Sequence, residues 1–385
     1  MIASNKRYAI YASLLIFTCW STDLCAEITL LQQNRDNPDW LNRLNFSVNG
    51  SIRPQFYDVM GSSDKGSYKR NGFDDGDNQT RFGFAADYYL RDGVSWYTYY
   101  EFGLNMPALF DWKNHYEEGS AFTTRRMLFT GLKADDMGEL TIGQQTSVYY
   151  DVVAAKTDLW DDDMLAQAPG VGINGAYDGS YRPRKQLKFK NSYGSVDLYA
   201  GWLFPDSEYL VGDGTRYRRK GGGSLGFDYH IDDDLSLGMA WNETRATIKH
   251  PGAGDDKTYN QHIVGAALSW VPDNWTFAVG GGWYKNFLQT ESTRTNNYFA
   301  GSAWGIEYYA GYSFNIDRAG LKTVQPFFMG DRLEYASGRN YKRIDNGLGL
   351  LLAFAWGFSV DYEHMFTSST DRQGDVNFVR LSYDF

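Results

Sequence analysis

"NFVRLSYDF", Asn377 to Phe385, alternates without a break. Val379, Leu381, Tyr383 and Phe385 fall on one face; Arg380, Ser382 and Asp384 fall on the other. Successive side chains of a β-strand point to opposite sides, so this segment reads as a strand with one apolar and one polar face. The pattern recurs in "RFGFAADYY", where Phe82, Phe84 and Tyr88 oppose Arg81 and Asp87. It recurs again in "GFSVDYEHM", where Phe358, Val360 and Tyr362 oppose Ser359, Asp361 and Glu363.

The connections between such segments alternate in length. Short turns fall at Arg91–Gly93, Asn191, Asp232, Pro272 and Asp317. Long polar connections fall at Gly61–Asn78, Lys113–Ser120, an Asp-rich region near residue 160, Pro205–Arg218, His250–Tyr259 and Thr290–Gly301. Roughly sixteen strands with short turns at one end and long loops at the other are the signature of an antiparallel transmembrane β-barrel. A soluble sandwich or propeller would also alternate. No repeat at blade spacing is present, however, and the polar faces carry bulky charges, as a water-filled lumen would. The expected fold is therefore all-β, a closed barrel spanning residues 27–385.

Composition agrees with strands and tight turns. The chain has 29 Tyr, 24 Phe and 12 Trp, with 41 Gly against only 9 Pro, and aromatics favour strands while glycines favour turns. Aromatic clusters at Ser95 ("SWYTYYEF"), Gly281 ("GGWYKNF") and Glu307 ("EYYAGYSF") read as membrane-interface girdles. A formal net charge of −10 lacks the basic footprint of a nucleic-acid binder.

Lys6 and Arg7 precede the apolar run "YAIYASLLIFTCW", and a small residue, Ala26, follows. This describes a secretory signal peptide over residues 1–26. Both cysteines, Cys19 and Cys25, lie within it. The remaining chain can form no disulfide and do no thiol chemistry.

"TDLWDDDML", Thr157 to Leu165, crowds Asp158, Asp161, Asp162 and Asp163 around Trp160. Like charges so close do not enter an apolar core. The stretch lacks the spacing and glycine of a calcium loop, and "DDGDN" at Asp74–Asn78 is a better divalent-ion candidate. The five histidines, His115, His230, His250, His262 and His364, show no metal-ligand spacing. "GGGSLGF" at Gly221 reads as a strand start, because the lysine and helix of a phosphate cradle are missing. No nucleophile elbow occurs. The expectation is of no enzyme, no cofactor and no metal.

Residues Arg125 to Trp160, "RRMLFTGLKADDMGELTIGQQTSVYYDVVAAKTDLW", resemble the general porins of Gram-negative outer membranes. Arg126, Phe129, Gly131, Leu132, Lys133, Gly138, Gly143, Tyr150 and Asp151 fit that family's pattern. "TRFGF" at Thr80 resembles its second strand, and "FVRLSYDF" its last. The resemblance implies a sixteen-stranded barrel, a homotrimer, and a third extracellular loop over about 149–180 that folds back into the pore. Arg81 and Arg126 match two of the family's wall arginines, Asp158 matches the acid of its loop and Asp162 falls near a family glutamate; with Arg53 and Arg182 added, the expectation is a basic wall facing an acidic loop of Asp158, Asp161, Asp162 and Asp163. A third wall arginine of the family aligns near Asn174, and a wall lysine near Ser51, for which Arg53 substitutes. The family's Pro-Glu-Phe-Gly-Gly motif is replaced here by "DDDML". Tyr383 and Phe385 would address the chain to the barrel-assembly machinery. Lipopolysaccharide and outer-membrane lipid are the implied surroundings, and small hydrophilic solutes the implied cargo. Trp160 beside the acids points to solute stacking, which would suit a channel selective for sugars or sugar acids. A closed barrel acting as an adhesin or anchor is the third possibility.

Overall fold

Leu44–Ile52 opens a ring of sixteen antiparallel strands. In this computed structural model the described residues are 27–34, 39–60, 72–74, 79–110, 122–161, 175–211, 215–249, 257–286, 301–337, 340–370, 372 and 374–385. The proposed signal peptide, Asp162, Asp163, Asn174 and most of "DDGDN" lie outside them.

The ring runs β1 (Leu44–Ile52, resuming at Gln55–Val59), β2 (Thr80–Arg91), β3 (Val94–Leu104), β4 (Thr123–Ala134), β5 (Gly138–Gln144), β6 (Gln186–Tyr193), β7 (Val196–Leu203), β8 (Thr215–His230) and β9 (Leu235–Lys249). It continues through β10 (Lys257–Trp270), β11 (Trp275–Lys285), β12 (Ser302–Tyr312), β13 (Leu321–Tyr335), β14 (Lys342–Phe354), β15 (Phe358–Ser369) and β16 (Val376–Asp384). Each strand pairs with its sequence neighbour, and β16 pairs back onto β1 at Ser51↔Asp384 and Gln55↔Arg380. The Gly50 amide donates to the Phe385 carbonyl at 2.7 Å, and the Phe385 amide returns a bond to Gly50 at 3.0 Å. Closure removes both sheet edges, the one way a sheet satisfies its backbone in lipid. β1 breaks at Arg53–Pro54, where proline supplies no N–H to the ladder.

Side chains sort by parity. Met239, Val264, Val279, Ile306, Phe328 and Leu348 point outward and are exposed, as an apolar belt requires. Their strand neighbours Ala240, Ile263, Ala278, Glu307, Met329 and Gly347 point inward. The aromatic clusters split the same way. Trp96 and Tyr100 face out, while Tyr97 and Tyr99 face the lumen, so only half of "SWYTYYEF" is girdle.

Two local expectations are corrected. "GGGSLGF" lies in mid-strand in β8, not at its start, with a bulge between Arg219 and Gly221. Pro205–Arg218 is not all loop, because Tyr209–Val211 pairs with Thr215–Tyr217 and extends a hairpin beyond the wall.

Candidate functional site: a basic wall and an inward loop

The connection between β5 and β6 runs from Gln145 to Lys185, longer than the sequence suggested. Its base is tied shut, since the Ser147 amide donates to the Tyr181 carbonyl at 2.7 Å and its hydroxyl to the Ser180 carbonyl at 2.9 Å. The same hydroxyl accepts the Tyr150 N–H and caps a short helix, Val148–Val152. Val148, Tyr149, Val152 and Val153 have no exposed surface. They press on small inward-facing residues, among them Gly226, Gly238, Ala240, Gly265 and Ala267. A Cβ at Gly238 would run into the Val152 carbonyl, and one at Gly265 would stand 2.7 Å from the Tyr149 hydroxyl. The wall is scooped to receive the helix, and the outgoing limb of the loop, Val148 to Asp161, therefore lies against the inner face of the barrel.

Beyond the helix, Lys156 Nζ pairs with Asp228 at 2.8 Å. Glu307 on β12 accepts from Thr157 Oγ1 at 3.0 Å and from Trp160 Nε1 at 2.9 Å. Glu363 on β15 accepts the Asp161 N–H at 2.7 Å, and Arg380 on β16 pairs with the Asp161 carboxylate. The loop is thus stapled to β8–β12 and again to β15–β16.

Opposite stands the basic wall. Arg126 Nε donates to Glu101 Oε1 at 2.7 Å, and Arg81 Nε lies 4.0 Å from the other Glu101 oxygen. Arg53 bonds Ser51 Oγ at 2.5 Å and approaches Asp384 at 3.4 Å. Arg182, on the returning limb of the loop, lies over the Tyr181 ring at 4.2 Å, and its charge reaches Glu101. The four predicted cations therefore form one cluster.

Arg126 enters the lumen through a defect. Glu101 pairs with Met127 and Phe102 with Arg125, so Arg126 is the extra residue of a β-bulge. Simple alternation would put it on the outward face with Leu128 and Leu132. The bulge turns it inward and leaves Arg125 outward, where it bonds Gln144 at 3.0 Å.

The acids divide. Asp158 accepts from the Tyr150 hydroxyl and feels the charges of Arg81 and Arg53. Burial nonetheless holds its pKa above the usual carboxylate range. Asp161 is committed to Arg380 on the other side, not to the predicted basic wall. Trp160 is 4% exposed and packed with Met329, Phe327 and Phe378. It is an anchor with no open ring face, which corrects its expected stacking role. The residues that sequence reading missed are Glu101, Glu307 and Glu363. Each shares the inward parity of its strand, and that parity is the signal that would have found them.

The loop's return is held by Arg219, which is fully buried and donates to the carbonyls of Phe204 (2.9 Å), Tyr177 (2.8 Å) and Arg184. Each carbonyl left unsatisfied costs about 1–3 kcal/mol. Arg219→Ala should therefore lower the thermal midpoint by several degrees, read as the temperature at which the barrel loses its compact electrophoretic form. Beside it, burial pushes the Asp178 carboxyl up to about 6, against the bonds it accepts from Ser180 at 2.7 and 2.9 Å. A raised carboxyl pKa favours the neutral form. Its contribution is therefore complete below the ordinary carboxylate range and lost as pH rises through about 6. Amide exchange at residues 177–182, corrected for intrinsic rate, should be slower at pH 5 than at pH 7.5, and Asp178→Asn should remove the difference. Faster exchange at pH 5 would contradict this.

Among known proteins, the outer membrane porin C of Serratia marcescens is 34% identical over 288 residues, covering 67% of this chain and 70% of that protein. The outer membrane protein F of the same organism is 24% identical over 278 residues, with the same coverage. Among solved structures, OmpF of Salmonella typhi in complex with daunomycin superposes with a TM-score of 0.65 at 14% identity, covering 89% of this chain and 98% of that one. The anion-selective porin of Comamonas acidovorans gives 0.61 at 14% identity, covering 89% and 100%. A family model described as the autotransporter beta-domain matches residues 211–350, the stretch of regular alternating strands from β8 to β14.

Proposed function

The chain belongs to the general porin family, and from that premise we propose that Arg53, Arg81, Arg126 and Arg182 face Asp158 across the narrowest part of its channel. The protein is an outer-membrane porin, a water-filled passage for passive diffusion of ions and small hydrophilic solutes. No reaction is assigned to it. Selection rests on pore width and field, as it does where rings of charge line other pores.

One observation carries the reading of the site. A loop anchored at Glu307, Glu363 and Arg380 holds Asp158 within reach of the charges of Arg81 on β2 and Arg53 at the break of β1. On the lipid face at mid-depth each arginine would cost about 2–4 kcal/mol. In the lumen they meet Glu101, Asp384 and water. Opposed charges across a narrow gap set up a transverse field that orients dipolar solutes. With Trp160 buried, the sugar-selective alternative keeps only the general wealth of aromatics behind it. Recording in a planar bilayer tests the reading: open steps indifferent to millimolar saccharides support it, and steps silenced by one sugar class count against it.

We propose further that the protein is a homotrimer assembled through the outward aromatic plate of β1–β3. There Phe46, Phe84, Tyr100 and Phe102 lie with ring planes within 30° of one another. Tyr383 faces out at the end of β16, and Phe385 packs beside Phe82 with ring centroids 5.7 Å apart. This terminal pair suits recognition by the assembly machinery.

A further inference from the structure

The two charge pairs on the basic wall differ in how far they meet water. The side chains of Glu101 and Arg126 are 2% and 6% exposed, and they bond each other at 2.7 Å. Those of Asp384 and Arg53 are 24% and 19% exposed, and they approach only to 3.4 Å. Asp384 shares the inward face of β16 with Arg380 and Ser382, and Arg81 feels its charge as well. A permeating ion therefore meets the second pair directly, and the first only through what remains of its cancelled field.

Several contacts fix the exposed pair in place. Asp384 lies opposite Ser51 in register, and the next residue, Phe385, exchanges both backbone bonds with Gly50. The turn between β14 and β15 closes on the same point. Gly357 has a φ of +80°, and a Cβ there would stand 2.2 Å from the Asp384 carbonyl oxygen. Arg53 is held from its own side. At the break in β1 its amide donates to Thr80 Oγ1 at 2.9 Å, and its Nε donates to Ser51 Oγ at 2.5 Å.

We propose that Asp384 is a specificity-determining residue of the channel, the water-facing acid beside Arg53 that limits how strongly the arginine cluster favours anions. The inference deepens the reading of the chain as a channel narrowed at this cluster, and rests on it. A staple across the β1–β16 seam is the plainer role for such a pair. The geometry argues against that role. A part-exposed ion pair with one long contact adds little to stability, and backbone bonds already close the seam on both sides of it. What a part-exposed carboxylate does change is the local field. At about 5 Å through water and about 0.1 M salt, one unit charge alters the local concentration of a monovalent ion roughly twofold. Glu101 acts less strongly at the same point, because Arg126 offsets its charge at short range.

The test reads the reversal potential of the purified protein in a KCl gradient. Asp384→Asn should favour anions roughly twofold more than the parent, and should shift the potential further than Glu101→Gln does. Asp384→Glu should match the parent. Residues 27–385 contain no cysteine, so Asp384→Cys gives the barrel a single thiol. A sulfonatoethyl methanethiosulfonate reagent, which returns a negative charge, should bring that variant back to the parent's potential. A trimethylammonium reagent should move it further toward anions. An unchanged potential in Asp384→Asn, or a smaller shift than that of Glu101→Gln, would overturn the proposal. So would a thiol that neither reagent modifies. Should the cysteine variant fail to assemble, the isosteric Asp384→Asn decides alone. A parent that opens no channel would instead count against the channel reading, whatever the variants do.

Discussion

Trp160→Ala combined with Arg380→Gln should give a channel with larger and noisier unitary current while the barrel remains folded. Trp160 is the buried pin of the loop's far end, and truncating a packed aromatic costs about 3–5 kcal/mol. Arg380 is the cation set among Asp161, Asp361 and Glu363. Removing it takes away the ion pair at Asp161 and leaves three carboxyl groups beside one another. Loss of one partner of a buried pair costs about 3–5 kcal/mol more. The helix Val148–Val152 keeps its seat on the small-residue wall, so release is confined to the crossing segment. The barrel ladder does not pass through either side chain, and its heat-modifiable electrophoretic form should persist. Unchanged conductance in a folded double variant would mean that these staples do not set the pore's width.

Arg81→Ser with Arg126→Ser is expected to move the channel strongly toward cations. The pair supplies half of the four-arginine cluster, and both side chains converge on Glu101. Serine takes away two fixed positive charges and leaves the Glu101 carboxylate without its two nearest cations. At a few ångströms and an intermediate dielectric, one charge shifts the local potential by several kcal/mol per elementary charge. The preference should therefore reverse or deepen rather than drift, and the cleared volume should raise conductance as well. High salt should blunt the change in selectivity more than the change in conductance, since screening acts on the field and not on the width.

Alternation alone makes the barrel wall legible in the sequence. The inward set of β16, Arg380, Ser382 and Asp384, and the outward set ending in Phe385 stand as the period of two requires. Strand pairing across short turns followed from the same pattern. Two kinds of information were not in the period. Arg126 has the parity of lipid-facing Leu128, and only the bulge opposite Glu101 turns it inward. Its inward place was reached through family resemblance rather than through alternation. The loop is the other case. Trp160 and Asp161 are exposed-looking residues in an acidic string, and what buries them lies on strands about 150 to 220 positions away, at Glu307, Glu363 and Arg380. No local pattern reports a partner at that distance. The glycines of the receiving wall were visible as glycines, but Gly238 and Gly265 acquire meaning only from the helix that rests on them.

The most direct test of the charged constriction is the reversal potential of three channels in the same tenfold KCl gradient: the parent, Glu101→Gln, and Arg81→Ser with Arg126→Ser. If these groups face one another at the narrowest point, Glu101→Gln shifts the potential toward anions and the arginine pair shifts it toward cations, on opposite sides of the parent. Three coincident potentials, or two shifts of the same sign, would contradict a channel governed by this cluster.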